Sequence, residues 1–447
     1  MSISQSNKRD RVLSRLVRLF SVSVSHSRSI IGGFHEEMAR GLAGERSSLR
    51  MIPSFVGRPT GREKGRFLAL DLGGTNCRVL EVELDGRGGA SIAAASRFVI
   101  PQDRMHGAGE LLFDFLAGCV DSFIREHPRR DGGRERILAF TFSFPVEQHS
   151  IASGTLIGWT KAFTVSGVEG EDVAVLLYEA MKRKGLGSVR VTALTNDTVG
   201  TLVAGCYADR CCDMGVILGT GTNACYLERA ARIGKFPGPF RSGEMIVNME
   251  WGNFDRLKAN RYDAMLDADS PNPGRQRLEK MVSGMYLGEI ARLVIREMME
   301  RGMLFEGKHH PAFLASYAFT TEHLSTMAGG GDEAFADLGL ADLPGESRAA
   351  ILEIGRLVAL RSARIAGAAI TAVITWMDPG LEADHAVAID GALFEKYPGY
   401  RDGIQDVLIE LLGGRAERVA LVPARDGSGI GAAVVGAVAA SAGRRTV

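Results

Sequence analysis

Two short apolar strands in this chain each run directly into a glycine turn. The first reads Phe67-Leu-Ala-Leu-Asp71-Leu-Gly73-Gly74-Thr75-Asn76-Cys77-Arg78. The second, near the middle, reads Gly215-Val-Ile-Leu-Gly219-Thr220-Gly221-Thr222-Asn223. A turn without side-chain bulk lets successive backbone N–H groups converge on an anion. Hydroxyls at Thr75, Thr220 and Thr222 add donors. Two such turns predict a duplicated domain that grips one polyphosphate from both sides.

The length, 447 residues, predicts two domains, each large enough for its own core. Lys+Arg and Asp+Glu balance at 53 each, so no long-range field favours nucleic acid or a membrane surface. Glycine, at 55 residues, exceeds the ordinary share of about 7% and falls in short turn clusters, as an enzyme with many tight βα connections needs. The six cysteines (Cys77, Cys119, Cys206, Cys211, Cys212, Cys225) form no C-x-x-C pair. They read as reduced thiols in a cytoplasmic protein. No apolar run is expected to approach a membrane span, and Ala432–Ala440 is too short and too rich in Gly and Ala. The N-terminal stretch Lys8–Arg28 is rich in Arg and Ser, as a transit peptide is. Its Val12, Leu13, Leu16, Val17 and Phe20 also form an apolar helical face, which reads as the first helix of the fold, with a membrane-surface helix as the alternative.

Along the chain, 67–84 reads as strand, glycine turn, strand, and 92–100 as a third strand. Residues 110–126 have helical spacing, and Ile137–Phe144 is a buried strand stopped by Pro145. Residues 172–184 read as a helix ending at Gly185, and 189–194 as a strand delivering Asn196-Asp197 before a helix over 198–207. In the second half, 216–218 leads into the second turn, and 278–299 and 348–377 read as long helices. The strands 386–389 and 419–422 run into Asp390-Gly391 and Asp426-Gly427-Ser428-Gly429. Alternating strands and helices argue for α/β layers, with a ligand between domains at the strand ends.

Three motifs carry less than they promise. Gly302-x-x-x-x-Gly307-Lys308 mimics a Walker A loop, but His309 replaces the Mg²⁺-binding Ser or Thr. Gly427-x-Gly429-x-x-Ala432 resembles a dinucleotide fingerprint without room for the full βαβ unit and its ribose-binding acid. His309-His310 reads as a solvated pair rather than a metal site. Better supported are Arg78, a fork suited to phosphate oxygens, and Asp71, an acid that can hold a hydrated Mg²⁺. Asn196-Asp197 is often just a turn or helix cap, but here a strand delivers it toward the crevice. With Glu250, it suits a hydroxyl-rich substrate, so the combination points to ATP and a sugar.

These segments together resemble hexokinases of the eukaryotic ATP:hexose kinase type, over nearly the whole chain. The resemblance starts near Glu37–Leu42 and Leu49–Pro53 and runs through Leu68–Asn76, Ser143-Phe-Pro145 and Gly158-Trp-Thr-Lys161-Ala-Phe163. It continues through Asn196-Asp-Thr198, Gly219–Asn223, Asn248-Met-Glu250-Trp-Gly252, Asn272-Pro-Gly274 and Glu279-Lys280. It implies an α/β fold of two unequal domains built on a duplicated actin-like ATPase (ribonuclease H-like) core with an interdomain cleft. A small domain would span 65–195. A large domain would hold 1–64 and 196–429, and a C-terminal helix near 430–447 would pack with the small one.

Carried over residue by residue, the resemblance assigns the sugar hydroxyls to Ser143, Thr160, Lys161, Asn196, Asp197, Asn223, Glu250 and Glu279. Such acceptors and donors suit vicinal hydroxyls. Asp197 would be the general base and Lys161 would offset charge on the transferred phosphoryl. Asp71 (holding Mg²⁺ through water), Gly73, Gly74, Thr75, Asn76, Arg78, Thr220 and Gly221 would grip phosphates. Thr321, Asp390, Gly391, Gly427 and Ser428 would line the adenosine side. Cys77 and Ile430 depart from the family's usual aromatic residue and Arg. The implied activity is MgATP-dependent phosphorylation of a hexose, glucose first, at its 6-hydroxyl, the opening step of glycolysis, by a monomer or homodimer. A sugar sensor without turnover and a chaperone-like ATPase of the same fold are the rivals. The first should lack the base or a phosphate ligand, and the second would not need Ser143-Phe-Pro145 or Trp159-Thr-Lys161.

Overall fold

The structure is a computed structural model. It describes residues 3–443 except 130–134, 161–162, 237, 239, 241–242 and 306–307, with side chains described only between residues 11 and 441. Its strands are β1 (Ile52–Pro53), β2 (Lys64–Leu72), β3 (Asn76–Asp85), β4 (Ala90–Val99), β5 (Arg136–Phe142), β6 (Val146–Ser150) and β7 (Ser153–Leu156). The rest are β8 (Val189–Thr195), β9 (Cys212–Leu218), β10 (Thr222–Arg229), β11 (Glu244–Asn248), β12 (His385–Asp390) and β13 (Val419–Pro423).

The two large sheets repeat one plan. The first runs β4-β3-β2-β5-β8, and the second runs β11-β10-β9-β12-β13 with β1 added at its edge. In each, the first three strands are antiparallel and the last three are parallel. The glycine turns are the hairpins between β2 and β3 and between β9 and β10. Because the parallel strands share a direction, β2, β5 and β8 end at one edge of their sheet, and β9, β12 and β13 end at one edge of theirs. That geometry collects residues from six remote segments into one crevice.

Among the described residues, three apolar cores hold the sheets. One packs helix Gly109–Glu126 and helix Val173–Arg183 against the first sheet through Leu112, Leu116, Phe140 and Leu177. The largest lies beneath the second sheet around helix Gly345–Met377. The third sits between the sheets. There, helix Asp197–Ala208 and helix Gly427–Gly443 cross. A Cβ on Gly431 would lie 1.8 Å from the Gly200 carbonyl oxygen, so only glycine permits this crossing. The C-terminal helix also lies against β2, β5 and β8.

The structure departs from the sequence reading at several places. The expected helix over 278–299 is two helices, Arg277–Val282 and Gly284–Glu300. Ser283 between them is extended, and the Gly284 N–H leaves the helix to donate to Gly219 O at 2.8 Å. A tertiary bond to the second turn thus outweighs continuous helical periodicity. Strand β5 stops at Phe142, which puts Ser143 just past its end. A second N-terminal helix, Val24–Ala43, follows Ile3–Phe20, capped by the Ser23 hydroxyl. Leu16 and Phe20 are buried in the large core, with Val12 and Leu13 against it, whereas Val17 is exposed. The expectation that no apolar run nears membrane length also fails. Helix Gly345–Met377 has that length and composition, but its most apolar window is 89% buried inside the protein. Continuous apolarity here reflects contact with protein on every side.

Candidate active site

The first turn is tied across the crevice by charge. Strand β2 brings Asp71 to its end, and β3 returns Arg78 opposite it in register. Arg78 Nη2 donates to Asp71 Oδ2 at 2.8 Å and Nη1 to Asp426 Oδ1 at 2.8 Å. The Ser428 hydroxyl, in the first turn of the C-terminal helix, donates to Asp71 Oδ2 at 3.2 Å. The turn closes through Gly73 N–H to Asn76 O at 3.0 Å. Gly74 is half-buried beside it, the Asn76 amide donates to the Thr75 hydroxyl, and Thr75 is exposed. Asp426, in left-handed backbone, was not among the expected site residues. Its position in the Asp-Gly-Ser-Gly run was the available signal.

The second turn is tied by backbone. Gly219 N–H donates to Gly221 O at 3.0 Å, and Met285 N–H to Thr220 O at 3.1 Å. Thr222 N–H donates to Glu279 Oε2 at 3.0 Å. The Thr222 hydroxyl, expected to face a ligand, is buried: it donates to Ile217 O and accepts from Trp251 Nε1. Thr220 remains exposed. Gly391, at φ 130, approaches this turn so closely that a Cβ would lie 2.3 Å from Leu218 O. Thr321 starts a helix, and its hydroxyl accepts the Gly288 N–H at 2.9 Å. Gly427 packs on Thr201 of the other crossing helix.

A third group lies beside the second turn. Asn223 Nδ2 donates to Asn248 Oδ1 at 2.8 Å and to Glu250 Oε1 at 3.3 Å, and Asn248 Nδ2 donates to Glu250 Oε1 at 3.0 Å. Asn248 was quoted in a motif but given no role. The structure makes it the link between Asn223 and Glu250. Glu250 itself sits at φ 53, a left-handed conformation that costs free energy outside glycine. Strand β8 delivers Asn196 and Asp197 to a helix start. Both carboxamide and carboxylate accept the Thr198 N–H, at 2.9 and 2.8 Å. Asp197 is thus both a helix-end residue and half-exposed. A small cavity lined by Phe142, Phe144, Thr195, Asn196 and Asn248 joins the two sides. Ser143 lies buried at the same strand end.

Thr160 is half-buried in a loop seated on an aromatic cluster: Trp159 stacks on Phe163 and packs edge-on against Phe144. Its carbonyl accepts the Phe163 N–H at 3.1 Å. Lys161 lies outside the described residues. Asp390, at the end of β12, has its carboxyl pushed up to about 7 by burial, with the charges of Glu395 and Asp197 adding to the effect. Among the described residues no three His, Cys, Asp or Glu side chains form a metal-ligand group. The Gly302–Lys308 run follows a helix rather than a strand, and its Gly307 lies outside the described residues. His309 is exposed, and His310 caps a short turn by accepting the Ala312 N–H. All six cysteines are free thiols.

Two family models, both described as hexokinase, match residues 12–207 and 213–438. Hexokinase-7 of Oryza sativa subsp. japonica is 45% identical over 421 residues, 90% of this chain and 91% of the relative. The hexokinase-like 1 protein of Arabidopsis thaliana is 42% identical over 98% of this chain and 93% of its own length. Among solved structures, the Schistosoma mansoni hexokinase complexed with glucose superposes with a TM-score of 0.88 at 33% identity, covering 97% of this chain and 99% of that one. Two sheets of repeated order around a shared crevice form the actin-like ATPase fold, and the chain belongs to the hexokinase family.

Proposed function

We propose that this hexose kinase transfers the γ-phosphoryl group of MgATP to the 6-hydroxyl of glucose, with Asp197 as general base. The observation that carries the proposal is the position of the Asp197 carboxylate. It stands at the end of β8 beside Asn196, which shares a small cavity with Asn248 of the Asn223–Asn248–Glu250 group, and its charge reaches Asp390. A sugar hydroxyl held there can lose its proton to Asp197 as its oxygen attacks phosphorus. Asn196, Asn223, Glu250, Glu279, Ser143 and Thr160 would pair the remaining hydroxyls, with Lys161 offsetting phosphoryl charge. A site that pairs hydroxyls discriminates against analogues lacking one by about 10⁴-fold or more.

The chemistry of the crevice suits a magnesium-bound nucleotide. Asp71 has one oxygen engaged by Arg78 and Ser428, and Asp390 lies buried among other acids, so added positive charge is favourable there. Mg²⁺ bound through water on Asp71 would supply charge neutralisation for the phosphates. The Gly73 N–H is taken by Asn76 O, so the N–H groups of Gly74, Thr75, Thr220 and Gly221 would orient phosphate oxygens, and Thr321 and Gly391 would border the adenosine. Positioning and charge stabilisation supply most of the rate in phosphoryl transfer.

The test is ADP release from MgATP with and without glucose, for the wild type and Asp197→Ala. Glucose-dependent turnover that drops by about 10²–10⁴ in the variant supports the base assignment. Tight glucose binding without turnover favours a sensor. Sugar-independent hydrolysis refutes the substrate assignment.

A further inference from the structure

One ion pair beneath the second sheet is almost wholly withdrawn from water. Glu289 and Arg292 lie one turn apart on helix Gly284–Glu300, at 3% and 1% exposure. Arg292 Nε donates to Glu289 Oε2 at 2.7 Å and Nη2 to Oε1 at 2.6 Å, a parallel two-point pairing. Two charges withdrawn from water in this way are costly, and such a pair is weak evidence for stability as such. What the pair holds is more telling.

Both partners reach further backbone groups, and all of these belong to the segment that leads to Thr321. Arg292 Nη1 donates to Phe313 O at 2.7 Å. Glu289 Oε2 accepts the Tyr317 N–H at 2.7 Å, and Tyr317 is itself in left-handed backbone at φ 60. The segment then passes over Gly288, where a Cβ would lie 2.3 Å from the Thr320 carbonyl carbon. It ends at Thr320, which caps helix Thr321–Ala328, and at the Thr321 hydroxyl on the Gly288 N–H. The other end of the same helix geometry is the second glycine turn, bonded to Gly284 and Met285. The pair therefore holds the segment that leads to Thr321 against the same helix whose N-terminus carries the phosphate turn.

We infer that Glu289 and Arg292 are positioning residues for the nucleotide. They act through the 311–320 segment on Thr321 without touching the ligand, and this rests on the reading of Thr321 as part of the adenosine side. An unpaired or displaced segment would loosen nucleotide binding while leaving the Asn223–Glu250 sugar group, on another element, unchanged.

The experiment compares wild type with Arg292→Lys and Glu289→Gln. It reads KM for MgATP, KM for glucose and kcat, together with direct titration of a fluorescent ADP analogue and thermal midpoints. Arg361→Lys serves as control, because Arg361 forms a comparably buried pair with Asp263 in the same lobe, at 2.8 Å. The expected result is a rise of about tenfold in KM for MgATP and in the analogue's Kd, with KM for glucose within about twofold and kcat largely kept. Arg361→Lys should lower the thermal midpoint without that split. Equal changes in both KM values, no change in nucleotide affinity, or the same split in Arg361→Lys would overturn the inference. Arg292→Lys keeps the buried charges balanced, whereas Glu289→Gln leaves that of Arg292 uncompensated, so Arg292→Lys still reports where Glu289→Gln does not fold. If the wild type binds the analogue but lacks glucose-dependent turnover, the proposed function fails, and the change in analogue affinity still decides the role of the pair. No analogue binding by the wild type overturns both.

Discussion

The two glycine turns arise from near-identical sequence signals and are built in opposite ways. The first, at Gly73-Gly74, is anchored by charged side chains to a segment some 350 residues later in the chain: Arg78 to Asp426, and Ser428 to Asp71. The second, at Gly219–Gly221, is anchored by main-chain bonds to Gly284 and Met285 and by the close approach of Gly391. Main-chain bonds inside one lobe make a rigid cradle whose loss unfolds its surroundings. Charge contacts between the C-terminal segment and β2–β3 can change with ligand and ionic conditions at little cost to the fold. One turn therefore reads as scaffold and the other as the responsive side of the crevice.

That contrast can be broken most sharply at Gly391. Gly391→Ala puts a Cβ against Leu218 O in a backbone region that L residues avoid, and a loss of about 3 kcal/mol in urea denaturation is expected. Wild-type stability in this variant would mean that the second turn is not rigidly held. Arg78→Ala should act in the reverse sense. Its guanidinium is 32% exposed and its partner Asp426 46% exposed, and buried Asp71 keeps the Ser428 hydroxyl, so the stability loss should stay below that of Gly391→Ala, at about 1–2 kcal/mol, while KM for MgATP rises by about tenfold. A stability loss matching that of Gly391→Ala would erase the distinction.

A pH titration sharpens the comparison further, because Asp390 stands between the two turns. Its carboxyl is raised from the ordinary 3.8 to about 7, so the folded state holds a proton that the unfolded chain releases. The resulting stability is fully present below the unfolded pKa and is lost as pH rises through about 7. Chemical denaturation of the wild type from pH 5 to 8 should show a decline that Asp390→Asn lacks. Equal slopes in the two proteins would remove Asp390 from the account. The smallest effect is expected from salt: high ionic strength should shrink the wild-type to Arg78→Ala ratio in KM for MgATP by about twofold, since screening acts on exposed charge.

The limits of sequence reading follow the same division. Apolar alternation, glycine runs and cap residues act between neighbours, so both turns, most strands and the helix starting at Asp197 are legible from local pattern. Thr222 looked like a third hydroxyl donor, yet Trp251, 29 residues away in the chain, takes that hydroxyl. Asn248 had no distinguishing local signal because its role depends on Asn223 one strand over. Helical spacing runs through Ser283 without interruption, and only the bond from Gly284 to Gly219 reveals the break. Apolarity likewise cannot separate a helix wrapped by protein from one wrapped by lipid, and Gly345–Met377 is settled by its burial.

The chain's own pattern thus determined which segments become strands and turns and which side chains stand at their ends, because those outcomes depend on short-range sterics and periodicity. The joining of Asp71 to Ser428, the spending of Thr222 in the core and the buried pair behind Thr321 were decided only by tertiary structure. There, groups far apart in sequence compete for the same hydrogen bonds once water has been excluded.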